Sequence, residues 1–180
     1  AKNIIMEKII KLTEKYPDKP WDWTEISENP NLTIEIINKY SDKPWDWEGI
    51  SRNPNLTMEF IIQMFDKYPN KHWCCWSICE NINITFETII QLIDKYPNED
   101  WDWEAISRNP NLTMENIEKY LDKDWDWEAI SENPNLTIEM INKYPDKPWD
   151  WNEISDNSNL TFEMIIQLVD KYPDKNWDWV

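Results

Sequence analysis

Pro44-Trp45-Asp46-Trp47, followed by Asn53-Pro54-Asn55-Leu56-Thr57, is one copy of a pattern that recurs along this chain of 180 residues. Intact Trp-Asp-Trp triplets begin at Trp21, Trp45, Trp101, Trp125, Trp149 and Trp177, and an altered copy is Trp73-Cys74-Cys75. From one first tryptophan to the next, the spacings are 24, 28, 28, 24, 24 and 28 residues. Self-similarity at a period of roughly 20–50 residues is typical of solenoids and repeat arrays.

Two helices per unit are predicted from start and stop signals. An apolar helix is expected after the threonine of Asn-Pro-Asn-Leu-Thr, because threonine is a favoured N-cap and a glutamate lies in the first turn. In the copy after Thr57, the apolar residues of 58–65 have the spacing of one buried face. The Tyr-Pro step is expected to end this helix. The aspartate of each triplet is expected to cap a second, short helix such as 23–27, which the Asn-Pro-Asn turn ends.

The alternation between 24 and 28 residues falls between threonine and tryptophan, inside the apolar helix. Four extra residues add about one helical turn of ~3.6 residues, so the buried face keeps its register. The sequence therefore predicts an all-α solenoid of short helical hairpins with 24- or 28-residue repeats. Its units begin near residues 1, 29, 53, 81, 109, 133 and 157 of a single array, 1–180. Neither end resembles a polar capping unit, so a longer array, or another chain that covers the ends, is expected.

Charge and cysteine content restrict the class of partner. The net charge of −17 argues against direct nucleic-acid binding and against an anionic membrane surface, whereas a basic protein partner fits. The chain has no run of about 18 apolar residues, as a membrane-spanning helix requires. Three clustered cysteines are no disulfide framework and favour a reducing compartment.

The triplets have two interpretations. Their tryptophans could form a ladder that grips a ligand, but aromatic residues at strict repeat spacing more often fill the seams between units. Their aspartates could form a row that holds calcium or a basic partner, but one carboxylate per unit fits helix capping better. The candidate protein-binding residues are Asp22, Asp46, Asp102, Asp126, Asp150, Trp23, Trp47, Trp103, Trp127 and Trp151.

The altered copy contains the only candidate metal cluster: His72, Cys74, Cys75 and Cys79. Its spacing differs from that of the common structural zinc sites. Alignment of the units favours drifted structural positions, in which Cys74 replaces the capping aspartate, Cys75 the second tryptophan and Cys79 a serine. We therefore expect no bound metal and no other cofactor. This copy is predicted to be the weakest or the most specialised point of the array.

Pro44-Trp45-Asp46-Trp47 and Asn53-Pro54-Asn55-Leu56-Thr57 resemble tandem repeats in proteins of giant DNA viruses. The resemblance covers nearly the whole chain, except for residues 72–84. It implies a virus-encoded or virion-associated scaffold, located in the host cytoplasm or the virion, and it carries no catalytic residues.

Catalysis finds little support, since the lone His72 has no recurring nucleophilic partner and a single glycine leaves no phosphate-binding loop. The leading hypothesis is a non-enzymatic scaffold for protein–protein interaction. One alternative is a structural rod or spacer that self-associates in a virion or assembly. A further alternative is an acidic mimic of nucleic acid.

Overall fold

The structure is a computed structural model in which residues 2–179 are described, and the predicted start of the first unit at residue 1 lies outside them. Over this range the chain forms thirteen α-helices and no strand, which confirms the all-α solenoid. The apolar helices are α1 Lys2–Lys15, α3 Ile34–Lys39, α5 Met58–Lys67, α7 Phe86–Lys95, α9 Met114–Lys119, α11 Ile138–Lys143 and α13 Phe162–Lys171. The short helices are α2 Trp23–Glu28, α4 Trp47–Ser51, α6 Cys75–Glu80, α8 Trp103–Ser107, α10 Trp127–Ser131 and α12 Trp151–Asp156.

The helices are arranged in two layers. Each short helix packs against the short helix of the next unit, from α2 through to α12, while α1 packs against α3 and α5 against α7. A single hydrophobic core runs along the array between the layers, and residues such as Ile37, Ile50 and Ile106 are fully buried in it. Every unit therefore depends on its neighbours for burial, as in other solenoids.

The predicted helix starts and the predicted insertion are confirmed. The side chain of the preceding threonine caps each apolar helix from α3 to α13, as when Thr57 Oγ1 accepts from the Phe60 N–H at 3.1 Å. Helices α5, α7 and α13 have 10 residues, whereas α3, α9 and α11 have 6. The four extra residues thus lie within the apolar layer.

The signal that ends the apolar helices is more general than the predicted Tyr-Pro step. Helices α3 and α9 end at Lys39 and Lys119, with Tyr40 and Tyr120 as C-caps, although no proline follows either tyrosine. The Tyr40 carbonyl accepts the Lys43 N–H at 3.1 Å and the Trp45 Nε1–H at 2.8 Å. The equivalent indole bond is present in all seven triplets, including the altered one. The first tryptophan therefore fixes the turn whether or not proline is present.

Two polar links between units were not anticipated from the sequence. Asn53 is fully buried, and its Nδ2 donates to the carbonyls of Ser27 and Asn29 in the preceding turn, at 3.0 Å each. Ser27 Oγ accepts the backbone N–H of Asp46 at 3.0 Å. Equivalent links recur along the array, so the asparagine and the serine join each unit to the next.

Candidate interaction surface

The triplet aspartates are helix caps. The side chains of Asp22, Asp46, Asp102, Asp126 and Asp150 each accept a backbone N–H in the first turn of their own short helix. Asp46 Oδ2 also accepts the Thr24 hydroxyl at 2.7 Å, and this bond lowers the pKa of Asp46 below its usual value. The carboxylates remain one per unit, and each is engaged with its own helix.

The second tryptophans lie in the seams, by which we mean the interfaces between consecutive units. Trp127 meets the ring of Trp149, the first tryptophan of the next unit, edge-on at 4.9 Å between centroids. The same pairing joins Trp23 to Trp45, Trp47 to Trp73, Trp103 to Trp125 and Trp151 to Trp177, at 4.9–5.4 Å. Trp127 and Trp151 are buried, while Trp23, Trp47 and Trp103 are half-buried.

In most units the first tryptophan of the triplet is buried, as expected for a residue that fills the seam between units. Trp45, Trp125, Trp149 and Trp177 are buried, and the remaining three are half-buried. The triplets consequently offer aromatic surface mainly to their own neighbouring units.

The cysteines occupy the structural positions that alignment assigned to them. Cys74 is the N-cap of α6, where its Sγ accepts the Ser77 N–H at 3.4 Å, while Cys75 and Cys79 are buried. Burial raises the pKa of Cys75 to about 12 and raises the pKa of Cys79 further. His72 is exposed, and over residues 2–179 no group of three or more His, Cys, Asp or Glu side chains is placed to hold a metal ion.

The altered copy also exposes two large apolar side chains. Trp76 in α6 is 36% exposed, and Ile82 in the following turn is 67% exposed. The residues equivalent to Trp76 are Thr24, Glu48, Glu104, Glu128 and Asn152, and those equivalent to Ile82 are Pro30, Pro54, Pro110, Pro134 and Ser158. A single exposed apolar residue is ordinary, whereas two that replace polar residues or proline within one short segment make this segment the candidate interaction surface. Our sequence reasoning missed both, although aligning the units is enough to find them.

A shallow cavity of about 310 Å³ adjoins Ile82, and Ser77, Glu80 and Arg52 also contribute to its wall. Trp76 precedes Ser77 on α6 and lies one turn from Glu80. We call Trp76, Ile82 and this cavity the divergent patch.

The charges around the divergent patch are already partly paired. Arg52 contacts the carboxylates of Glu28 and Glu48 at 2.7 Å each. Arg108 contacts Glu104 at 3.2 Å and Asp126 at 3.3 Å. The two arginines are therefore engaged within the array.

Comparison with known proteins gives this surface no precedent: no protein-family model, no curated protein and no solved structure matches the chain. Within residues 2–179, no helix combines the length and the apolar character needed to cross a membrane.

Proposed function

We propose that this protein is a non-enzymatic scaffold that binds another protein through the divergent patch. The observation that carries the proposal is the exposure of Trp76 and Ile82 at positions where other units have polar residues or proline. Tryptophan is enriched among the residues that dominate binding energy at protein interfaces. The regular units would then hold the patch in a fixed orientation.

Charge favours a basic partner that carries an apolar anchor. Glu48 and Glu104 occupy the position of Trp76 in the helices on either side, but each is paired with an arginine, so the acidic character rests on the chain as a whole. The chain as a whole has a net charge of −17. A segment in which lysines or arginines flank a leucine or phenylalanine complements both features. Its binding would weaken with salt, because exposed charges are screened over about 8–10 Å at physiological ionic strength.

The test uses synthetic peptides of that composition, fluorescently labelled and titrated with the protein in anisotropy measurements. The double variant Trp76→Glu with Ile82→Pro gives the patch the residues of a regular unit, and we expect it to weaken binding at least tenfold. The matched control is Glu128→Gln, which alters the position of Trp76 in a regular unit and leaves the affinity within about twofold. Binding that the double variant leaves unchanged, or that does not depend on salt, would overturn the proposal.

A rod or spacer is the second candidate, and an apolar face on α13 favours it. Phe162 is 74% exposed, whereas the equivalent Phe86 is 2% exposed because it packs against Tyr120 and Trp125 of the following unit. A groove of about 830 Å³ runs beside Phe162 and Ile166. A unit of the same kind from a second copy of the chain would cover this face.

Sedimentation velocity of the 180-residue polypeptide over a range of concentrations tests this candidate. Self-association that Phe162→Glu abolishes and Glu163→Gln preserves would support it, while a monomer at all concentrations would argue against it. A viral origin and a location in the host cytoplasm or virion remain predictions.

A further inference from the structure

Most seams share the same aromatic and cationic packing. The second tryptophan of one unit meets the first tryptophan of the next, and in four seams a lysine of that next unit lies over the second tryptophan. The lysines are Lys71 over Trp47, Lys123 over Trp103, Lys147 over Trp127 and Lys175 over Trp151, with Nζ at 5.0–5.8 Å from the ring centroid. Each such seam is therefore held by an aromatic pair and by a cation–π contact.

The seam between α6 and α8 lacks both contacts. Cys75 stands where the second tryptophan would be, and Glu99 stands where the lysine would be. The nearest ring to Trp101 is instead Phe65 of α5, in a contact with 6.3 Å between centroids. The tryptophan and the cation that would cover it are thus replaced together, at this seam alone among those formed by the triplets.

Phe65 compensates in part. The residues equivalent to it in the other ten-residue helices are Ile93 and Val169, so a ring here adds volume where Cys75 leaves space. Its ring lies 4.9 Å from Trp73 and from Tyr96. The polar links are also kept, since the Asn109 amide donates to the Cys79 carbonyl at 2.6 Å. The seam is therefore closed in the structure, but without the tryptophan pair and the cation–π contact that most other seams have.

The two buried thiols face this seam. Cys79 lies against the backbone N–H of Asp102, and Cys75 against that of Asp100, both in the segment that leads into α8. The Cys79 side chain is completely buried. A reagent can reach these sulfur atoms only when α8 and its preceding segment move away from α6.

We propose that the seam between α6 and α8 is a built-in opening point, at which the array separates into two arms, residues 2–80 and 81–179, while each arm stays folded. In a solenoid, stability is approximately a sum over units and over the interfaces between neighbours, so the loss of the aromatic pair and of the cation–π contact lowers the free energy needed to open this seam. The divergent patch lies at the junction of the two arms, since Trp76 belongs to the first arm and Ile82 to the second, so opening would change the shape of the patch. The proposal does not depend on the proposed function, because it concerns a motion of the free chain.

Native-state alkylation of the thiols tests the proposal. Cys75 and Cys79 are labelled with iodoacetamide in increasing low concentrations of urea, and each site is quantified by mass spectrometry. We expect Cys79 to be labelled at least tenfold faster than it would be if only the globally unfolded chain reacted. The labelling rate should also rise less steeply with urea concentration than the population of the globally unfolded chain does. Labelling of Cys79 with the full urea dependence of global unfolding would overturn the proposal.

Two variants and a control distinguish local opening of this seam from low stability of the whole chain. Cys75→Trp with Glu99→Lys gives the seam the residues of its neighbours, and we expect it to slow Cys79 labelling at least tenfold. Phe65→Ile removes the compensating ring without adding volume, so it should accelerate Cys79 labelling even if the restored pair fails to fold. The matched control is Ile62→Val, which trims a half-buried residue of the same helix and should alter labelling less than Phe65→Ile. Equal labelling rates in the wild type and Phe65→Ile would contradict the proposal.

Discussion

The Asn53 side-chain Nδ2 donates to the carbonyl oxygen of Ser27 at 3.0 Å, across 26 residues of sequence. It also donates to the Asn29 carbonyl, and its own Oδ1 accepts the Asn55 N–H at 2.9 Å. One buried amide thus links two turns and shapes the second. We expect Asn53→Ala to destabilise the protein by about 1–3 kcal/mol, the cost of leaving a buried polar group unpaired.

Urea unfolding followed by circular dichroism measures this effect. The control is Asn98→Ala, at an exposed turn position, with an expected change within about 0.5 kcal/mol. Equal midpoints for the two variants would show that the asparagine ladder contributes nothing to stability.

Substitutions at two helix caps are expected to change the stability of the protein in opposite directions. Asp126→Ala should destabilise the chain by about 1 kcal/mol, because its carboxylate accepts the Ala129 N–H at 3.1 Å. Cys74→Asp should stabilise it by about 0.5–1 kcal/mol, because a thiol is a poor acceptor and a carboxylate at an N-cap also meets the positive end of the helix.

Thermal unfolding compares both cap variants with Asp124→Ala, an exposed residue in the turn before Trp125. A lower melting temperature for Cys74→Asp would contradict the interpretation of Cys74 as the N-cap of α6.

The end of each apolar helix should tolerate loss of proline better than loss of the indole N–H. Trp149 Nε1 donates to the Tyr144 carbonyl at 2.8 Å. We expect Trp149→Phe to cost about 1 kcal/mol or more, and Pro145→Ser, which copies the natural Tyr40-Ser41 step, to cost less than about 1 kcal/mol.

NMR chemical shifts around Lys143 would report the helix end in both variants. If α11 extends beyond Tyr144 in Pro145→Ser but not in Trp149→Phe, then the proline ends the helix and the indole hydrogen bond does not.

The lowered pKa of Asp46 predicts that the protein loses stability at acidic pH. The Thr24 hydroxyl bond lowers the pKa of Asp46 in the folded state, so the folded chain binds this proton less readily than the unfolded chain. The resulting stabilisation is fully present above the unfolded pKa of about 3.9, and it is lost as the pH falls through the lower, folded pKa.

Urea midpoints for the wild type and Thr24→Val, measured from pH 7 to pH 2, test this. The two curves should be separated at neutral pH and converge below the folded pKa of Asp46. A separation that is constant with pH would assign the effect of Thr24 to packing alone.

Sequence signals within single helices were sufficient to predict the fold. The features that they did not predict depend on contacts between units. Thr57, Asp46 and the four-residue insertion act within their own helix, so sequence pattern was sufficient for them. The ladder formed by Asn53 and the serine–aspartate link depend on the register between neighbouring units, which a single repeat does not reveal. Trp76 and Ile82 were missed because neither replaces a residue of the triplet or a helix cap, the positions on which the sequence prediction rested.

The spans of the asparagine and serine links have a consequence for how such a chain can evolve. Asn53 reaches back 26 residues and Asp46 reaches back 19, so each link closes within about one repeat and refers to no fixed point in the molecule. Duplication or deletion of a whole unit would leave every remaining junction with its partners. The number of units can therefore vary by recombination between copies, and residues 72–84 can diverge without forcing change at the junctions farther along.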